Sequence, residues 1–68
     1  MNIDKKLVII GAGGHGRVVA DCAEQAGNYT DIIFLDDSIA ERKQNAHWPI
    51  VDTVDNWLNY RQDAEFIV

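Results

Sequence analysis

Two apolar runs, Leu7-Val8-Ile9-Ile10 and Ile32-Ile33-Phe34-Leu35, stand out because neither alternates with polar residues. A continuous run of this length is the pattern of a strand buried on both faces of a parallel sheet. Strands are therefore expected at Lys6 to Ile10 and at Asp31 to Leu35. Between them the apolar positions switch to a spacing of four. Val18, Cys22 and Ala26 fall on one line with Val19 and Ala23 beside it, which predicts a helix from Gly16 to about Ala26 with that stripe against the sheet. Gly27-Asn28 is its stop signal. A strand, a helix and a second strand in this order make a right-handed parallel crossover.

The second half reads less sharply. Asp36 to about Trp48 is polar and without period, as in a surface loop, with a short strand around Pro49-Ile50-Val51. Asp52 or Thr53 can cap a second helix running to about Arg61, with Val54, Trp57, Leu58 and Arg61 toward the sheet. Glu65-Phe66-Ile67-Val68 begins a third strand. The expected fold is thus a small Rossmann-like βαβαβ unit, α/β in class, with a three-stranded parallel sheet spanning residues 1–68. A strand with no residues after it looks like the cut end of a longer protein.

The junction of the first strand and helix holds the chemistry. Gly11-Ala12-Gly13-Gly14-His15-Gly16 contains G-x-G-x-x-G, and Asp36, about 20 residues on, stands where a dinucleotide fold places its acidic residue. Gly11 permits the sharp reversal, Gly13 lets a ligand approach the backbone, and Gly16 lets the helix pack closely on the sheet. The unpaired N–H groups at the helix start, with the positive end of its dipole, make an anion site. Candidate ligand-binding residues are Gly11, Gly13, Gly14, His15, Gly16, Asp36 and Asp37. The bland alternatives are a glycine turn that serves packing alone and an acidic pair that merely ends a strand. His15 lacks a neighbouring nucleophile or second acid, so no catalytic residue is assigned. Cys22 is expected in the core, and Trp48 and Trp57 as core or cover residues. His47 lacks partners in a ligand pattern, so no metal site is expected.

Composition narrows the field further. A chain of 68 residues makes one small domain, and 47% hydrophobic content supports a core. The net charge of −5 argues against nucleic acid or an anionic membrane as partner. No apolar stretch approaches a membrane span, no secretory leader is visible, and the lone Cys22 forms no internal disulfide, so a cytoplasmic location is expected.

The segment from Lys6 to Asp21, together with Ile32-Ile33-Phe34-Leu35-Asp36-Asp37, resembles the N-terminal domain of bacterial sugar acetyltransferases of the left-handed β-helix class. These include sialic acid O-acetyltransferases and the UDP-4-amino-sugar N-acetyltransferases of bacillosamine synthesis. The likeness extends over essentially the whole chain, and Gly-Gly-His-Gly and Phe-Leu-Asp-Asp are its specific parts. It implies that the domain binds a nucleotide-sugar acceptor, a UDP-sugar foremost, with Gly13, Gly14 and His15 around the phosphates and Asp36 and Asp37 on the nucleoside side. It also implies a parent that takes acetyl from acetyl-CoA to a sugar amine or hydroxyl. The parent would trimerise through a hexapeptide-repeat domain that holds the catalytic histidine and is absent from this chain. Without that domain the chain itself would carry no cofactor and no transferase activity. The alternatives are an NAD-type fragment of an oxidoreductase and a non-binding regulatory or assembly domain.

Overall fold

The computed structural model describes residues 5–62 and 64–68. Its strands are β1 (Lys6–Ile10), β2 (Asp31–Leu35), β3 (Gln44–Asn45), β4 (Trp48–Asp52) and β5 (Ala64–Ile67), with one α-helix, α1 (Gly14–Ala26). Two 3-10 segments, Asp37–Ala40 and Val54–Tyr60, lead into β3 and β5. The sheet order is β3-β4-β2-β1-β5. β1 pairs parallel with both β2 and β5, β2 pairs parallel with β4, and only β3 runs antiparallel. The sheet therefore has five strands where a three-stranded parallel one was expected: β4 falls on the short strand expected around Pro49-Ile50-Val51 and joins the sheet, and β3 is the strand that was not expected.

The continuous apolar runs do what such runs must. Leu7, Ile9, Ile32 and Phe34 point to the α1 face, where they meet Ala12, Ala20, Trp48 and Ile50. Val8, Ile33 and Leu35 point to the other face, covered in part by Tyr60 and Phe66. Both faces of β1 and β2 are buried, so alternation has nothing to report.

α1 sits differently from its expected orientation. It starts at Gly14, with Gly13 as N-cap, two residues earlier than expected. Its buried residues are Gly16 and Ala20, with Val19 and Ala23 packed beside them. Val18 is 60% exposed, and Cys22 and Ala26 face outward, so Cys22 is not a core residue. The cause is the close approach at Gly16. A Cβ built there would lie 2.5 Å from the Gly11 carbonyl oxygen and 3.0 Å from the Phe34 ring. Only the line of small residues lets the helix come this near the sheet.

The second expected helix is a kinked 3-10 segment, broken at Asn56 (φ −95°, ψ 17°). Its local competitor is Asp52, whose carboxylate accepts bonds from the Thr53 N–H at 2.8 Å, the Asn56 amide at 2.7 Å and the Tyr60 hydroxyl at 3.0 Å. Side-chain bonds of this kind draw the backbone away from a regular helix. Trp57 and Leu58 consequently stay 45% and 53% exposed rather than packing on the sheet, although Trp57 meets Phe66 edge-on at 5.9 Å. Trp48, in contrast, is a core residue.

Gly16→Ala should cost about 1–3 kcal/mol by overpacking, read by urea unfolding. Gly14→Ala, with open space at its Cβ, should be tolerated. Ala46, in the β3–β4 turn, holds φ 55°, a region that L-residues populate at a cost of about 1–2 kcal/mol. Ala46→Gly should therefore raise the urea midpoint, and a lowered midpoint would refute the strain at this turn.

Candidate functional site

The glycine turn leaves the carboxyl end of β1 and is tied down on all sides. The Gly11 N–H donates to the Leu35 carbonyl at 2.8 Å, which joins the turn to the end of β2. Gly11 holds φ 96°, the left-handed region for which glycine was expected there. Ala12 is 1% exposed, its methyl group part of the core on the α1 face. Its N–H donates to Asp36 Oδ1 at 2.9 Å, and its carbonyl accepts from Asn45 Nδ2 at 3.1 Å and from the Arg42 guanidinium. Asn45, 4% exposed, also reaches the Gly13 carbonyl at 3.4 Å.

The result is a presented helix start. Among the described residues no side chain caps α1, and its first turn holds no acidic residue. The N–H groups of Gly14, His15 and Gly16 have no intrahelical partner, and the dipole there is positive. Gly13, Gly14 and His15 are exposed. A hollow of about 210 Å³ opens beside them, lined by Gly11, Gly13, His15 and Gly16 and, from the neighbouring strand and C-terminus, by Ile67 and Val68.

The sheet order explains why the hollow is there. From β1 the chain crosses by α1 to β2 and then continues outward to β4. It returns to the opposite side of β1 to form β5. The connections thus diverge between β1 and β5, and in open α/β sheets ligands bind in the crevice at the carboxyl ends of such strands.

The acidic pair behaves as two separate residues. Asp36 is half-buried, with Oδ1 on the Ala12 N–H and Oδ2 on the N–H (2.9 Å) and hydroxyl of Ser38. The Ser38 hydroxyl foremost, then the Ala12 and Ser38 N–H groups, hold its carboxyl below the usual range against the cost of burial. Asp37 is exposed at the start of the first 3-10 segment, and its Oδ1 accepts from the Val54 N–H at 3.2 Å. Of the seven candidates, Gly11, Gly13, His15 and Gly16 meet around one hollow and Gly14 lies between them. Asp36 buttresses the turn, and Asp37 stands on the β2 side. His47, which does not line this hollow, pairs with Glu24 at 2.9 Å and lies tilted against Trp48 with centroids 4.0 Å apart.

Sequence reading missed Asn45, Arg42 and Ser38. They lie in a polar run with no period, and the hairpin turn Ala46-His47 lacks the Asn-Gly or Asp-Gly signal that would have revealed the strand pair.

A parallel sheet with a glycine turn and an uncapped helix start at its switch point defines a Rossmann-like α/β unit. The family model of the PglD N-terminal domain matches residues 6–68, and the chain belongs to that family. Among solved structures it is similar to the acetyltransferase domain of PglB from Neisseria gonorrhoeae FA1090, in complex with acetyl coenzyme A. The two share 37% identity with a TM-score of 0.81, over 96% of this chain and 31% of that one. The chain thus spans about a third of the length of that solved relative. A search of curated proteins found no match. The kinship expected from Gly-Gly-His-Gly and Phe-Leu-Asp-Asp, to N-terminal domains of sugar acetyltransferases, is met.

Because its folded-state pKa is lowered, Asp36 contributes stability above its unfolded value of about 3.9, and that stability is lost as pH falls through the folded value. Asp36→Asn should therefore destabilise the chain at pH 7 and flatten the acid side of its stability profile. Urea midpoints between pH 7 and pH 3 test this, and an unchanged acid slope would refute it.

Proposed function

We propose that this chain is the acceptor-binding domain of a sugar acetyltransferase and that it holds a nucleotide-sugar, a UDP-sugar foremost, in the crevice between β1 and β5. The observation that supports it most is the uncapped start of α1, exposed beside a hollow at the switch point. An anion there gains from free N–H groups and from the helix dipole, even on a chain of net charge −5.

Charge also orients the ligand. Phosphates belong over Gly13, Gly14 and His15, on the side away from the two aspartates. The nucleoside belongs toward Asp37, whose exposed carboxylate can accept from ribose or base. Asp36 serves the same site by holding Ala12. The NAD reading is weaker for a physical reason: a dinucleotide fold needs its acidic residue to accept ribose hydroxyls, and both oxygens of Asp36 already receive internal donors. A purely structural turn is disfavoured as well, since among the described residues no side chain caps the helix start.

In the whole protein, the sugar amine or hydroxyl would attack the thioester carbonyl of acetyl-CoA, form the amide or ester and release the CoA thiol. The relative crystallised with acetyl coenzyme A supports that co-substrate. This domain would contribute by positioning the acceptor, which turns an encounter of three bodies into a bound geometry. The proton acceptor, the CoA site and trimer assembly through hexapeptide repeats are assigned to the remainder of the protein, in the cytoplasm. Among the described residues, no helix is long and apolar enough to cross a membrane.

Titration of the chain with UDP, a UDP-amino-sugar, CMP-sialic acid, NAD and uridine, followed by amide NMR, tests the reading. UDP species should shift Gly13 to Gly16 and Asp37, uridine should do so far more weakly, and Asp37→Ala should lower the UDP affinity. Preference for NAD, or equal response to uridine and UDP, would refute it.

A further inference from the structure

The turn that would receive the anion is almost devoid of side chains. Gly11, Gly13 and Gly14 surround Ala12, and glycine has more backbone freedom to lose than any other residue. A cradle made of backbone N–H groups binds well only if those groups already point at the ligand. Something outside the turn must therefore set its peptide planes.

We propose that Asn45, on β3, is a positioning residue that presets the Gly13 and Gly14 amides for anion binding. The argument rests on peptide geometry. In a planar trans peptide the C=O and the following N–H point in opposite directions, and every described peptide is trans. The Ala12 carbonyl is held on the hairpin side by Asn45 Nδ2 at 3.1 Å, with the Arg42 guanidinium on the same oxygen. The Gly13 N–H must then point away from the hairpin. The Gly13 carbonyl is drawn to Asn45 at 3.4 Å and receives the Arg17 N–H at 3.1 Å. The Gly14 N–H must therefore point outward from the helix start. One buried amide thus restrains two consecutive peptide planes, while Asp36 holds the N–H of Ala12 from the other side.

Asn45 suits this task because it is rigidly placed. It is 4% exposed and paired with Trp48 across a two-residue hairpin turn. It meets the turn through carbonyl oxygens alone, so its role is orientation rather than contact with the ligand. Arg42, exposed, shares the Ala12 oxygen but makes no bond to the Gly13 carbonyl.

The inference rests on the anion-site reading above, and the test separates the two. Backbone 15N order parameters of the ligand-free chain come first. Gly13 and Gly14 should be near the rigid value of about 0.85 in the wild type and fall below about 0.6 in Asn45→Ala. Val8 and Ile33 should remain unchanged in that variant. UDP affinity should fall about tenfold in Asn45→Ala, the scale of one lost hydrogen bond, with similar loss in Asn45→Ser, whose hydroxyl is too short for both carbonyls. Mobile Gly13 and Gly14 amides in the wild type would overturn the proposal, as would unchanged order and affinity in both variants. Unfolding of both variants would make Asn45 a folding residue and overturn it too. If the wild type binds no UDP, the acceptor reading fails, and the order parameters alone still decide for or against the clamp.

Discussion

The two backbone groups of Ala12 are the hinge of this structure. The N–H is held by Asp36 from the end of β2, and the carbonyl is held by Asn45 and Arg42 from the hairpin side. Ala12 is buried, so both groups would be costly to leave unpaired. A chain segment rich in glycine is thereby fixed through its backbone, with the buried Ala12 methyl as its one core contact from between the glycines. The position of the start of α1 and the outward direction of its first N–H groups follow from this.

The same constraint ties the β3–β4 hairpin to the glycine turn rather than leaving it at the periphery. β3 is two residues long and adds little to the core on its own. Its value lies in placing Asn45 beneath the glycine turn, while β4 inserts Trp48 and Ile50 beside Phe34. The sheet and the site are therefore stabilised by the same insertion, and a change in the hairpin would reach the helix start through one amide.

Electrostatics and topology divide the work at the carboxyl edge. Topology opens the crevice between β1 and β5, because the connections diverge there. Charge then makes the crevice asymmetric, with the positive helix end toward β5 and the carboxylates of Asp36 and Asp37 toward β2. On a chain of net charge −5, the uncapped helix start is thus a local region of positive potential.

Where burial on both sides or backbone stereochemistry was the deciding force, the sequence by itself was sufficient. β1 and β2 were legible because an uninterrupted apolar run has few other uses. Gly11 and Gly16 were legible because one needs a positive φ and the other leaves no room for a Cβ. The family was legible from Gly-Gly-His-Gly and Phe-Leu-Asp-Asp. Tertiary structure alone decided which of two adjoining apolar stripes α1 buries, since Val18 and Ala20 both fit a helix and only close packing selects the smaller. It also decided that Asp36 faces inward and Asp37 outward, and that Asn45 lies under the turn. The helix face is chosen by its approach to Phe34, 18 positions from Gly16, and Asp36 and Asn45 reach Ala12 across 24 and 33 positions; local patterns of apolar and polar residues carry no record of such distances.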